Sequence, residues 1–364
     1  MPTRVRFGRG VVGELRSYVN ELGAKRILLV TGSKSMKKAG FLGRVAGLLD
    51  GLDVTVFDEV ESDPSVETVG KAVEAAGEVD AIVSLGGGSV IDAAKAVSVV
   101  LGNGGDISAY LMGRKVEEPG PPVIAIPTTA GTGSEVTEVS VLTDKKRMIK
   151  KSFRSVYMYP AVALDDLELT KTMPKDVTAS SGLDALTHAV EALTSKKSQP
   201  IPDQLCLEAA RIIAGNILKA YENGDDLKAR EAMMLGSLMA GFGITHAGAG
   251  LAHGLAYSLW KVAGTTHGLA CGILLPHVMK YNLGYEEGKY EQLARHCGFK
   301  KPGDLISKIV ELNSAMGIPK RLAEIGVRED DVESMIELGM SGSTKVNPRP
   351  VDETAIRNFL LEII

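Results

Sequence analysis

The chain has 364 residues, a formal charge of -4 at pH 7, and 45% hydrophobic and 24% charged residues. That length suits about two domains, each with enough apolar surface for its own core. The charge balance, with a pI of about 6.0, excludes nucleic-acid binding through a basic face. The longest apolar runs fall well short of the ~20 residues that span a bilayer. The start, Met1-Pro2-Thr3-Arg4, carries no apolar signal core, so a cytoplasmic protein with neither membrane nor nucleic-acid partner is expected. Cys206, Cys271 and Cys297 form no CxxC pair. They read as small buried apolar residues, not as a disulfide framework or a thiolate zinc site.

Taken in chain order, Arg26–Thr31 reads as a buried strand, Lys37–Leu49 as a helix and Asp53–Phe57 as a second strand. Asp63-Pro64-Ser65 opens a helix whose apolar positions are Val66, Val69, Val73 and Ala76. Asp80–Leu85, Val123–Ile126 and Ala161–Leu164 are the next strands. This alternation predicts a parallel sheet covered by helices. Beyond Pro174 the rhythm gives way to long helical patterns, Asp176–Thr194, Asp203–Glu222 and Leu227–Ile244 among them. The fold class is therefore α/β plus all-α. The boundary lies at residues 165–174 and divides 1–172, a dinucleotide-binding domain, from 173–364, a helical domain.

Two loops follow strands in the first domain. Gly86-Gly87-Gly88-Ser89 opens a helix that runs through Asp92 and Lys95. Its glycines let backbone N–H groups approach an anion, and the helix start adds partial positive charge, so the loop suits a pyrophosphate. Its spacing is neither GxGxxG nor a P-loop, and a tight turn without a ligand fits it as well. The second loop, Pro127-Thr128-Thr129-Ala130-Gly131-Thr132-Gly133-Ser134-Glu135, sets four hydroxyls beside two glycines. Two such loops at strand carboxyl ends are what an open α/β sheet uses to hold a nucleotide.

The chain has only six histidines. Asp184 and His188 stand at i, i+4, on one face of a helix. His253 and His267 lie 14 residues apart in apolar surroundings, each followed by glycine. A buried Asp184 needs a partner, and a divalent cation held by Asp184, His188, His253 and His267 supplies one. Imidazole with carboxylate suits Fe²⁺ or Zn²⁺. Each histidine taken singly also reads as a satisfied core residue, as do His246, His277 and His296.

With these stretches together, the chain resembles the iron-containing (group III) alcohol dehydrogenase family of the dehydroquinate synthase-like superfamily. The matching segments are Gly86–Lys95 (GGGSVIDAAK), Pro127–Thr137 (PTTAGTGSEVT), Asp184–Glu191 (DALTHAVE) and Gly250–Tyr281, with Asn347-Pro348-Arg349 near the end. The resemblance implies a Rossmann-like first domain, an all-helical metal domain, an active site in the cleft between them, and a homodimer or larger assembly. It implies metal ligation by Asp184, His188, His253 and His267, and pyrophosphate binding by Gly86, Gly87, Gly88 and Ser89. Nucleotide contacts are implied for Thr128, Thr129, Thr132, Ser134, Val141 and Lys150, and Asp92 falls near the nicotinamide end.

Two departures stand out. Many NAD-using members carry an aspartate after the first strand of the family pattern. This chain has Gly32 there, followed by Ser33 and Lys34, with Lys37 and Lys38 close by. These residues suit a 2′-phosphate, so NADP(H) is expected over NAD(H). Many members also have HxxxH where this chain has His253 and Tyr257, so Tyr257 is the expected proton-relay group. The implied reaction passes hydride between a nicotinamide and an alcohol or aldehyde whose oxygen a Lewis-acid metal polarises. Asp92, Tyr257 and His267 are the expected catalytic residues. Glycerol dehydrogenase-like or maleylacetate reductase-like activity, or a dehydroquinate synthase-like lyase, are the alternatives. No motif reports which alcohol or aldehyde is used, nor iron against zinc.

Overall fold

The computed structural model describes residues 2–340 and 342–364. The chain divides into two units, Met1–Thr129 with Ser134–Met173, and Ala130–Gly133 with Pro174–Ile364. The first unit contains β1 (Arg4–Gly8), β2 (Arg26–Gly32), β3 (Asp53–Val60), β4 (Ala81–Gly86), β5 (Val123–Pro127), β6 (Val139–Asp144), β7 (Ile149–Arg154) and β8 (Val162–Asp166). Six of these form one sheet in the order β1-β8-β5-β4-β2-β3, every neighbouring pair parallel. β6 and β7 form a separate antiparallel hairpin.

The central strands are mostly apolar because both sheet faces are covered, with Thr31, Ser84, Asp165 and Asp166 as buried polar exceptions. Ile27 and Leu29 of β2 join Ala81, Val83 and Leu85 of β4 in a cluster with Val12, Leu15, Val19, Val45 and Leu49. Their neighbours Leu28, Val30 and Ile82 point the other way, into a cluster with the helices Val66–Ala76 and Gly88–Asn103. Period-two alternation thus feeds two cores at once. The helix expected over Lys37–Leu49 is two helices, Ser35–Lys38 and Phe41–Leu48. Gly40 between them adopts φ 78, left-handed backbone that ends one helix and admits the next.

The sheet order reverses direction between β2 and β4, and the carboxyl ends of these strands mark the switch point at which α/β sheets take ligands. Both loops of interest begin there or next to it. β4 ends at Gly86 and β5 at Pro127, and the Thr128 N–H donates to the Gly86 carbonyl over 3.0 Å.

The second unit is helical. Its helix Lys175–Thr194 is buried at every position from Gly182 to Thr194. Within that stretch Asp184, His188 and Glu191 are the only ionisable residues, and the spacing i, i+4, i+7 puts all three on one face. Pro200–Glu222, Leu227–Ala247, Leu251–Ala263 and His267–Asn282 follow. Among the described residues no helix is long and apolar enough to cross a membrane.

Candidate functional site

Three helices of the second unit bring four donor groups together. Asp184 comes from Lys175–Thr194, His253 from the first turn of Leu251–Ala263, and His267 and Cys271 from the start of His267–Asn282. One ligand atom from each lies within 4.8 Å of the others. The Asp184 Oδ1 is 3.6 Å from His253 Nε2 and 3.7 Å from His267 Nε2. Cys271 Sγ is 3.8 Å from His267 Nε2. Asp184 and His253 are each 3% exposed, yet Asp184 Oδ1 and His253 Nε2 have no hydrogen-bond partner. Buried polar atoms are almost always satisfied, so these two mark a place for a ligand. A dication with ~2.1 Å bonds to N and O, in tetrahedral geometry, sets its donors about 3.4 Å apart. The observed spacings are close to that, and the donor set suits a first-row dication.

His253 is aimed by Glu191. Its Nδ1 lies 2.6 Å from Glu191 Oε2, which also accepts the Gly250 N–H at 2.7 Å, while Oε1 accepts the Ala252 N–H at 2.6 Å. One carboxylate therefore caps the start of the His253 helix and fixes which imidazole nitrogen faces the cluster. Gly250 must be glycine for this, since a Cβ there would stand 2.9 Å from Glu191 Oε1. His188, one turn beyond Asp184, is not one of those four mutually close donors but lies against them, stacked on His253 with ring centroids 4.4 Å apart and planes at 20°, its Nδ1 buried without a hydrogen-bond partner. Tyr257 lies one turn beyond His253, its ring 5.4 Å from that of His267.

Charge in this cluster follows burial and neighbours. Burial pushes the Asp184 carboxyl up, but His188, His253 and His267 outweigh it and hold the group well below the ordinary carboxylate range. Burial pulls His188 down to about 4 against the attraction of Asp184. It pushes the Cys271 thiol up to about 12, with His253 opposing.

The sequence reading of Gly86–Ser89, Asp92, Ser134, Val141 and Lys150 falls in the first unit. Gly86 and Gly87 are required by space. A Cβ would come within 2.5 Å of Val90 Cγ2 at the first and 3.0 Å of Thr129 at the second. Asp92 accepts hydrogen bonds from the Ser134 hydroxyl and, over 2.9 Å, from the Val141 N–H. Lys95, fully buried, donates to Ser134 Oγ at 2.8 Å, Thr137 Oγ1 at 3.2 Å and the Val139 carbonyl at 2.9 Å. Burial holds Lys95 down at about 8 against the pull of Asp92, Glu135 and Glu138. Lys150 pairs with Asp63 at 2.6 Å, and the Asp63 N–H donates to Ser89 Oγ at 3.2 Å. Thr128 and Thr129 stay with the sheet, whereas Thr132 belongs to the four-residue stretch counted with the helical unit. That assignment has a steric basis. A Cβ on Gly131 would meet the Ser181 carbonyl at 2.9 Å, and one on Gly133 the Gly241 Cα at 2.5 Å. At the end of β2, a Cβ on Gly32 would lie 3.3 Å from the Val60 carbonyl, and Ser33, Lys34, Lys37 and Lys38 are exposed.

Below Asp92 lies a pair of acids that the motifs do not explain. Burial raises the Glu135 carboxyl, and burial together with Glu135 raises Asp165 well above the ordinary range. Neither oxygen of Asp165 has a hydrogen-bond partner. In the fold these acids keep protons that the unfolded chain gives up near pH 4 to 4.5. Stability should therefore fall as pH rises from that range toward 7. Asp165→Asn, which cannot ionise, is expected to flatten that slope and to gain roughly 1–3 kcal/mol over wild type at pH 8, with little difference at pH 4. Denaturant titrations at the two pH values measure it, and parallel curves for the two proteins would count against the buried acid pair.

The description "Iron-containing alcohol dehydrogenase" matches residues 2–167, and "Fe-containing alcohol dehydrogenase family, C-terminal" matches residues 178–364. The chain belongs to the iron-containing alcohol dehydrogenase family. It is accordingly an oxidoreductase acting between alcohols and aldehydes. It is 36% identical over 356 residues to an NAD-dependent methanol dehydrogenase of Bacillus methanolicus, covering 94% of this chain and 93% of that one. It is also 36% identical to an NADPH-dependent butanol dehydrogenase of Clostridium saccharobutylicum, covering 99% and 96%. The crystal structure of a 1,3-propanediol oxidoreductase superposes with a TM-score of 0.95 at 34% identity, covering 100% of this chain and 98% of that one.

Within this iron-containing alcohol dehydrogenase, Asn347-Pro348-Arg349 is a clamp on the helices that carry the histidines. Asn347 exchanges hydrogen bonds with Asn282, 2.8 and 3.1 Å, and accepts the Leu251 N–H at 3.4 Å. Arg349 donates to the Tyr281 carbonyl at 2.9 Å and lies over the Tyr281 ring. The sequence reading missed Glu191 and Cys271. A signal existed for both. Glu191 completes the i, i+4, i+7 face begun by Asp184 and His188, and Cys271 stands one helical turn from His267, the spacing that had singled out Asp184 and His188.

Proposed function

We propose that this chain is a metal-dependent NAD(P) alcohol dehydrogenase or aldehyde reductase whose dication is held by Asp184, His188, His253 and His267. The observation that carries this reading is the pair of buried, unpartnered atoms, Asp184 Oδ1 and His253 Nε2, facing one point beside His267. A dication bound there supplies Lewis-acid polarisation of the alcohol or carbonyl oxygen, and the nicotinamide supplies the hydride chemistry. Glu191 keeps the His253 Nδ1 proton turned away, so that Nε2 offers its lone pair to the centre. Tyr257 Oη moves the substrate proton outward, a role supported by its ring lying against His267. Gly86, Gly87, Gly88 and Ser89 seat the pyrophosphate. Thr128, Thr129 and Thr132 contact the nucleotide, and Lys150 reaches its phosphates from its pairing with Asp63. Asp92, braced by Ser134 and Val141, lies at the nicotinamide end. The assembly is a homodimer or larger and is cytoplasmic.

The nucleotide is NADP(H). Gly32 leaves no carboxylate at the end of β2 to repel a 2′-phosphate, and exposed Ser33, Lys34, Lys37 and Lys38 follow it. Relatives named for NAD and for NADPH both exist, so these residues decide the choice. Purified protein with NADP⁺ and short primary alcohols should produce reduced-nicotinamide absorbance that chelator abolishes and Fe²⁺ or Zn²⁺ restores. The kcat/KM for NADP⁺ should exceed that for NAD⁺ by at least about tenfold, and Lys34→Glu should erase the preference. Absence of net nicotinamide reduction with any alcohol or aldehyde defeats the reading, and a preference for NAD⁺ defeats its nucleotide part.

A further inference from the structure

Resting on the metal and nucleotide reading above, we propose that Ala130–Gly133 is a strap through which the dication and the nucleotide each tighten binding of the other. Gly131 is its positioning residue, seating the nucleotide loop on the helix that bears Asp184 and His188. The loop from Thr128 to Ser134 is anchored at both ends. At its start the Thr128 N–H donates to the Gly86 carbonyl over 3.0 Å. At its end the Ser134 hydroxyl donates to Asp92 and accepts from Lys95 Nζ at 2.8 Å. Both anchors belong to the sheet unit, yet Ala130–Gly133 between them belongs to the helical one. There Gly131 packs on the Asp184 helix with no room for a side chain. A Cβ would lie 2.7 Å from Ser181 Cβ, 2.9 Å from its carbonyl oxygen and 3.0 Å from its Cα. Ser181, Asp184 and His188 stand at i, i+3, i+7, on one helix face, so the strap rests on the face that carries the ligands. Burial pulls the His188 imidazole down, and a hydrogen bond with the Gly131 backbone is among the forces opposing it. Such an outer contact orients a metal-ligating histidine. Gly133, at φ 62, is the second seat, where a Cβ would stand 2.5 Å from Gly241 Cα. Only Ala130–Gly133 separates Thr129 from Ser134, which leaves the strap little slack. Movement of the Asp184 helix therefore carries Thr132 with it. A dication that fixes this helix orders the loop in advance, and the nucleotide has less ordering left to do when it binds.

Linkage measures the strap directly. In wild type the Kd for NADPH, read by nicotinamide fluorescence, should be at least about fivefold lower in Zn²⁺-loaded than in chelator-stripped protein. The Kd for Zn²⁺, read by chelator competition, should fall by the same factor under saturating NADPH. Backbone amides of residues 128–134 should exchange hydrogen more slowly once Zn²⁺ alone is bound. Gly131→Ala and Gly133→Ala should each bring the coupling factor below about twofold, while Gly303→Ala keeps the wild-type value. The factor is a ratio, so a variant that merely weakens NADPH binding with and without metal leaves it unchanged. Should both strap variants fail to fold, the wild-type linkage and exchange decide alone. Coupling that survives in both strap variants overturns the inference. So do ligands that bind wild type independently, or exchange of residues 128–134 that Zn²⁺ leaves unaltered. Each of these results leaves the metal centre and the nucleotide site standing. Wild type that takes up no Zn²⁺, or binds neither NADPH nor NADH, overturns those sites and this inference with them.

Discussion

Asp184→Asn is expected to give a folded protein that holds no stoichiometric dication and turns over alcohols at least about 10³-fold more slowly. The substitution keeps volume and shape but replaces a buried anionic donor with a weak neutral one. Lewis-acid stabilisation is worth several kcal/mol, and each 1.4 kcal/mol is a factor of ten. The same change should also lower the stability of metal-free protein, because there, against the opposing effect of burial, His188, His253 and His267 favour the ionised Asp184 carboxylate over its neutral form, and a neutral amide loses that attraction. The diagnostic pattern is thus loss of metal and of kcat/KM in a protein whose circular dichroism still shows the native fold after chelation. Metal analysis, circular dichroism and initial rates read it out. An Asp184→Asn protein that kept one tightly bound metal per chain and normal turnover would remove Asp184 from the centre.

The parts of this molecule that were legible in the sequence are those governed by local pattern. β2, β4, β5 and the start of β8 are short, mostly apolar runs, and such runs belong to a sheet covered on both faces. β1 was not legible. Its Arg4–Gly8 alternates half-buried and exposed positions at a sheet edge, a pattern that only its pairing with β8 makes meaningful. The β6–β7 hairpin was missed as well, because it follows a strand–loop of the parallel sheet and β7 runs through Lys150-Lys151-Ser152, a polar stretch without an apolar alternation. The histidines stood out because they are rare and flanked by glycine. Glu191 looked like an ordinary helix charge and Cys271 like an ordinary small core residue. Both acquire meaning from contacts between segments about 60 to 90 residues apart, which no local spacing encodes. The allocation of Ala130–Gly133 to the helical unit is of the same kind, since it depends on Ser181 and Gly241 standing where a side chain would have to go.

Gly268→Ala is expected to weaken metal retention and turnover by about 10²-fold without removing any ligand. Gly268 follows His267, and a Cβ there would lie 2.3 Å from the Ser180 carbonyl oxygen and 3.4 Å from Asp184 Cβ. One turn on, a Cβ at Gly272 would lie 2.5 Å from Leu183 Cδ1. Two glycines at i, i+4 thus form the flat side on which the His267 helix rests against the Asp184 helix. The obstacle at Gly268 is backbone, which cannot turn aside as a side-chain end can, so the helices must part by the better part of an ångström. Asp184 Oδ1 and His267 Nε2, 3.7 Å apart, move with them, and a displacement of about 1 Å at a catalytic centre costs about two orders of magnitude. Overpacking should also cost about 1–3 kcal/mol of stability. Gly303→Ala is the matched control. It lies in the helix Pro302–Ala315 with open space where the Cβ would be, and alanine there should be neutral or slightly stabilising. Chelator-competition measurements and melting curves on the two variants decide the matter. If Gly268→Ala behaved like Gly303→Ala in both, close approach of these helices would have no part in holding the metal.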